Sequence, residues 1–450
     1  MSALGTNGGG SPAARRHEAQ REVALVLPGG GARGAYEVGA LTVLLPALEA
    51  RGERVSVFCG TSVGAINAAA LASVAHLPVH RQVATLLERW SRVQRGTVLR
   101  RIISPRSPLR LARLAGEIAG LPGVRAGGLL EPALESSLDG WIDWDALHDN
   151  VEAGHARGVC VLATALADGT SVGFLERHGR EPLERGSEEI RYLDTTLDRE
   201  HVRASAAIPF LFPAVEVSSP EPAAGFYVDG GTRLNAPIKP AIDLGADRII
   251  AIGFEPLVAQ TPTQAPVATR APKLTDVAVN VLDGLITDQV GADMHRLAAV
   301  NSFFAGGPVN APSSSGLAYR ESRGRRPYRR IRYAFVAPAQ RGELGRLAEQ
   351  TYRERLGGLR ALRDPDAALL GAFLRASGAG RGELLSFLLF DPVFLGRLID
   401  AGRHDGQRWL DRHPDFWCAD SAHDFDLDPA RATRSAELAR LDEWRTLRRR

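Results

Sequence analysis

The sequence predicts an α/β protein: a three-layer α/β/α sandwich around a mostly parallel central sheet, with a helical C-terminal appendage. Two observations carry this. Short β-branched runs, VALVL at 23–27, VSVF at 55–58, VCVLATA at 159–165, RIIAIG at 248–253 and IRYAFV at 331–336, alternate with helical patterns, the signature of parallel strands covered by helices on both faces. The chain also has the means to build such a core, with 450 residues, 44% of them hydrophobic and 24% charged.

Taken in order, residues 1–20 (MSALGTNGGGSPAARRHEAQ) are small and polar, lack the apolar core of a secretory signal, and read as a disordered tail. Residues 21–355 hold the alternating strands and helices and read as the main domain. Inside it, Pro256–Lys273 and Pro308–Arg332 shift to loop compositions. Residues 356–450 read as a helical extension with an acidic stretch and a basic end. Within it, LLSFLLFDPVFLGRLI at 384–399 is broken by Asp391-Pro392, falls short of a spanning length of about 20 residues, and reads as two packed helices.

Composition narrows the classes of function. A formal net charge of +3 gives no case for a nucleic-acid partner, and Lys239 and Lys273 are the only lysines. Cys59, Cys160 and Cys418 lie far apart without a C-x-x-C pair, which suggests neither a disulfide framework nor a zinc site, so a reducing cytoplasm is the default location. The acids at 424, 426 and 428 lack the glycine and closing glutamate of a calcium loop, and no metal is expected.

Two loops invite chemistry. The first is Gly29-Gly30-Gly31-Ala32-Arg33-Gly34, between a buried strand and a helix. Its spacing fits a dinucleotide fingerprint, but the acidic residue due about 20 positions later, at the end of the second strand, is absent. A phosphate-gripping loop would end in Gly-Lys-Ser or Gly-Lys-Thr, where this one has Arg33-Gly34-Ala35. The second is Gly60-Thr61-Ser62-Val63-Gly64, a G-x-S-x-G pentapeptide with a strand before it and an alanine-rich helix after it, the context of a nucleophile elbow. The glycines leave room for a sharp turn that lifts the serine hydroxyl to the positive end of the helix. Backbone N–H groups of the glycine loop are placed to receive a carbonyl oxygen of an acyl-transfer intermediate. A tight turn with a solvated Arg33 is the plain alternative for that loop.

A serine nucleophile needs a base. The late histidines, His295, His404, His413 and His423, sit in no strand-end loop and read as surface residues. GFYVDGGTRLNAPI offers a carboxylate instead: Asp229 ends a short strand, and Gly230-Gly231 permit a tight turn against another backbone.

GGGARG, GTSVG and DGG in this order resemble the patatin-like phospholipase family, over roughly residues 21–337, with ASAAIPFLFPAV at 204–215, Asn235, Pro237 and LGADRIIAIG in support. The resemblance implies Ser62 as nucleophile, Asp229 as its partner in a Ser-Asp dyad, and the Gly29–Gly34 loop as oxyanion hole. It implies no cofactor, and lipid acyl esters as substrates, in the manner of a phospholipase A, lysophospholipase or esterase. An acyltransferase, a thioesterase or a non-catalytic lipid-binding protein remain alternatives. Peripheral membrane contact is expected, and two stretches could provide it. One is PLRLARLAGEIAGL at 108–121, either an interfacial or a core-facing helix; the other is the arginines at 320, 323, 325, 326, 329, 330 and 332, either a head-group contact or a solvated loop. Three roles are open to the extension: covering the domain, docking on a membrane, or binding a partner.

Overall fold

The computed structural model describes residues 22–94, 134–179, 189–209, 211–256, 290–302, 330–356 and 381–418, with a few isolated positions besides. The tail at 1–20, the stretch 108–121, the arginines from 320 to 329 and the acids at 424–428 lie outside the described residues.

Among the described residues, nine strands form one sheet: β1 (Val23–Leu27), β2 (Val55–Thr61), β3 (Gly158–Ala165), β4 (Ser171–Arg177), β5 (Ile190–Asp194), β6 (Val215–Val217), β7 (Gly225–Asp229), β8 (Arg248–Ile252) and β9 (Arg332–Val336). The main path runs β5-β4-β3-β2-β1-β8-β9, with β7 pairing to β3 and β6 to β7. Contacts among β1, β2, β3, β8 and β9 are parallel, as is β4 with β5, while β4 and β7 run antiparallel to β3. Every residue of β1, β3 and β8 is buried, so helices must cover both faces there.

The helices are α1 (Gly34–Glu49), α2 (Val63–Ala72), α3 (Val79–Ser91), α4 (Leu134–Trp141), α5 (Trp144–Glu152), α6 (Arg199–Ser205), α7 (Ile238–Asp243), α8 (Val290–Ser302), α9 (Glu343–Arg355), α10 (Arg381–Leu388) and α11 (Pro392–Arg412). The alanines of α2 let it lie close on β1, β2 and β3, and all ten of its residues are buried. Its one polar side chain, Asn67, donates to Gly34 O (3.1 Å) and Glu37 Oε2 (2.7 Å) and accepts from Trp90 Nε1 (2.9 Å). Fully paired, it ties α1, α2 and α3 together instead of weakening the core.

The C-terminal helices lie on the main domain. Asp391 splits them as the sequence predicts: its carboxylate accepts from the N–H groups of Val393 (2.9 Å) and Phe394 (3.3 Å) and starts α11. Then α11 crosses α1 at glycines. A Cβ on Gly402 would stand 2.9 Å from Ala40 N, and one on Gly39 would stand 2.8 Å from the carbonyl carbon of Ile399. Beside this crossing Tyr36 donates to Asp405 Oδ2 at 2.7 Å. Among the described residues, no helix is long and apolar enough to cross a membrane.

Candidate active site

β3 acts as a ruler that brings two distant segments together. On one edge it pairs with β4 from Gly158 to Thr164. On the other it pairs with β2 up to Thr61↔Leu162, and there β2 ends. β7 takes the vacated edge from the opposite direction, with Asp229↔Ala163. Ser62 follows Thr61 and Asp229 ends β7, so the two strands meet head to head and present both residues at one point. Gly230 makes the junction possible, because a Cβ there would stand 2.8 Å from the carbonyl carbon of Leu162.

Ser62 has the backbone of an elbow, φ 54° and ψ −123°, a conformation L-residues hold only where the surroundings enforce it. Gly60 and Gly64 supply the space: a Cβ on Gly60 would fall 2.5 Å from Ala65 Cα, and one on Gly64 2.6 Å from Pro28 O. Thr61 beside them is buried and donates to Leu234 O at 3.3 Å, and Val63 is buried at the start of α2. The Ser62 N–H donates to Ser205 Oγ at 2.8 Å, and Ser205 donates in turn to Leu162 O at 2.5 Å. A buried serine of α6 thus holds the turn against β3.

Ser62 and the Asp229 carboxylate line the same cleft, and Gly231 N donates to Asp229 Oδ1 at 2.7 Å. Burial lifts the Asp229 carboxyl to about 6, against the opposing pull of Ser62 and of the Gly231 N–H. Gly29, Ser62, Asp229, Asn235 and Phe387 line a cleft of ≈ 310 Å³, open space included, together with Ile208, Pro209, Gly231 and Thr232. No histidine lines it among the described residues.

The glycine loop closes the roof. Gly29 N donates to Asn235 Oδ1 (2.8 Å), Arg33 N to Gly30 O (3.1 Å), and Gly34 N turns back onto Gly31 O and Ala32 O. Gly30, Gly31 and Ala32 have no acceptor for their N–H groups among the described residues. Gly31 has φ 58°, so glycine relieves the backbone there. Arg33 is not solvated: it is 2% exposed, and its guanidinium donates to Ser386 Oγ and Glu383 O at 2.8 Å each, pairs with the Glu383 carboxylate, and lies over Phe254. A guanidinium is weakly hydrated and forked, which suits such burial.

The structure therefore gathers Ser62, Asp229, Gly29 and Gly231 around one cleft, with Gly30, Gly31, Ala32 and Gly34 in the loop beside it and the Arg33 side chain turned away. Sequence reasoning missed Ser205, Ile208 and Pro209 as site residues, although all lie in ASAAIPFLFPAV. Phe387 carried no sequence signal.

A family model, patatin-like phospholipase, matches residues 25–242. Among solved structures, VipD from Legionella pneumophila is similar at 14% identity, over 87% of this chain and 67% of that one, with a TM-score of 0.31. Human GIVD cytosolic phospholipase A2, in complex with methyl gamma-linolenyl fluorophosphonate, is similar at 15% identity, over 88% of this chain and 59% of that one, with a TM-score of 0.34. This chain thus spans less than two thirds of the human protein's length. No curated protein sequence matches the chain significantly. The segment that matches the patatin-like phospholipase family, residues 25–242, contains both Ser62 and Asp229.

Proposed function

We propose that the protein hydrolyses carboxylic esters of lipids through an acyl-Ser62 intermediate, with Asp229 as general base. One observation carries the reading: a serine in a strained elbow shares one cleft with a buried carboxylate whose pKa is pushed up to about 6. An ordinary carboxylate, near 4, is a feeble base toward a hydroxyl, and burial moves Asp229 toward the working pH.

In the first half-reaction Asp229 takes the Ser62 proton while Oγ bonds to the ester carbonyl carbon. The oxyanion that forms lies against the glycine loop, and Gly30 and Gly31 offer the unengaged N–H groups. The intermediate collapses as the C–O bond to the alcohol breaks, and protonated Asp229 returns the proton to the leaving oxygen. In the second half-reaction Asp229 deprotonates water, which attacks acyl-Ser62. The fatty acid leaves, and the proton returns to Ser62. Residues 21–355 serve as the hydrolase unit in this reading, with 356–450 as an extension, acting in the cytoplasm and in peripheral contact with lipid.

The test is turnover of a p-nitrophenyl ester by wild type, Ser62→Ala and Asp229→Asn, with circular dichroism to show that each is folded. Both variants are expected to lose at least a hundredfold in kcat. Near-normal turnover by either folded variant refutes the dyad. Product analysis with mixed lipids separates hydrolysis, which yields free fatty acid, from acyl transfer, which yields a new ester.

A further inference from the structure

We infer that Phe387, on α10 and outside the segment matched to the family, sets the acyl-chain length the site accepts; the inference rests on the hydrolase reading above. The lining of the cleft joins polar side chains, Asp229, Thr232 and Asn235, to apolar ones, Ile208, Pro209 and Phe387. Leu384 and Phe387 form a small buried apolar cluster, and Ile208 and Leu388 pack against both it and the main core. An ester whose carbonyl carbon approaches Ser62 within about 3–3.5 Å, with its oxygen on the glycine loop, sends its acyl chain along this apolar lining.

Phe387 limits that path. Its ring rests on Gly31, where an added Cβ would stand 2.7 Å from Phe387 Cδ1. Ser62, Asp229 and Phe387 are only 3%, 5% and 4% exposed, so the ring helps to close the cleft over the nucleophile. Its position is fixed from behind. Arg33 holds Glu383 and Ser386 on the same helix, and a close approach of Gly382 to Gly345, whose Cβ would stand 2.8 Å from Gly382 C, seats α10 on α9. A rigidly held aromatic ring in the apolar lining beside the nucleophile limits chain length by steric exclusion.

The experiment compares kcat/KM for p-nitrophenyl butanoate and p-nitrophenyl dodecanoate in wild type, Phe387→Ala, Phe387→Leu and Phe387→Trp. The dodecanoate-to-butanoate ratio is expected to rise roughly tenfold in Phe387→Ala, to rise less in Phe387→Leu, and to fall in Phe387→Trp. A merely structural role would scale both substrates together and leave the ratio where it was; that result, or a ratio moving the same way in Ala and Trp, overturns the inference. Fluorophosphonate labelling of wild type against Ser62→Ala runs alongside. Ser62-dependent labelling with an unmoved ratio overturns the role of Phe387 alone, whereas no Ser62-dependent labelling or turnover overturns the hydrolase reading and this inference with it.

Discussion

Asn235 grips the backbone of Gly29 from both sides: its Oδ1 accepts the Gly29 N–H at 2.8 Å and its Nδ2 donates to the Gly29 carbonyl at 3.3 Å. This joins the loop that follows Asp229 to the loop that would receive the oxyanion, across 206 positions of sequence. Asn235→Ala frees both groups inside a buried site, at a cost of about 1–3 kcal/mol. Because the glycine loop then loses its register with Ser62, kcat is expected to fall on the order of a hundredfold. Steady-state kinetics on the folded variant check this, and an unchanged kcat contradicts it.

Ser205 is the next test of pre-organisation. Ser205→Ala removes the acceptor of the Ser62 N–H while leaving the hydroxyl of Ser62 in place. The turn at φ 54° is then held less firmly. The expected result is a kcat reduced roughly tenfold or more with KM little changed, together with a loss of about 1–3 kcal/mol in urea unfolding. A stability loss with normal kcat shows Ser205 to be structural only.

The Asp229 carboxyl, raised to about 6 by burial, makes two linked claims about pH. As a base it works only when ionised, so kcat/KM for a neutral ester should climb with pH through about 6 and level off above. Stability moves the other way. The folded state holds this proton more tightly than the unfolded chain, whose carboxyl titrates near 3.9, so the folded form is favoured most below about 4 and loses stability as pH rises through about 6. Asp229→Asn, neutral throughout, should therefore be inactive yet more stable than wild type at pH about 8. Denaturant midpoints across this range check it, and an Asn variant no more stable than wild type at that pH contradicts the burial account.

At the α1–α11 crossing, Gly402→Leu should be strongly disruptive, because even a Cβ would stand 2.9 Å from Ala40 N and nothing there can yield except backbone. Overpacking of this kind costs about 1–3 kcal/mol or more. Thermal unfolding reads the effect, and a melting temperature equal to wild type contradicts the close crossing. Gly52, whose surroundings are open, provides no such control because its φ of 72° strains any side chain; Gly396, open and without that constraint, does.

Much of the site was legible because its chemistry is carried by short local motifs. Gly60 and Gly64 read as an elbow only with the strand before them and the helix after, and Gly230 permits a close approach to another backbone. The strands β1, β2, β3, β8 and β9 were legible as β-branched runs. By contrast β4 and β5 carry part of their surface outside the core, with Arg177 at the end of β4 and Arg191 and Asp194 in β5, and β6 is only Val215–Val217. The apolar run of β4 is only Val172 to Leu175, and β5 and β6 have none. The burial of Arg33 was hidden for a different reason: its partners, Glu383 and Ser386, lie 350 and 353 positions away and have no motif of their own. The same distance hid Phe387 and the glycine crossing of α11 on α1, since neither local pattern nor family resemblance reaches between those segments.

The most direct measurement is mass spectrometry of the full chain after reaction with a fluorophosphonate, with peptide mapping of the adduct. A single adduct on Ser62 is expected, absent from Ser62→Ala and formed far more slowly in Asp229→Asn. An adduct on another residue, or labelling of Ser62 at the wild-type rate without the Asp229 carboxylate, contradicts a serine activated by that carboxylate.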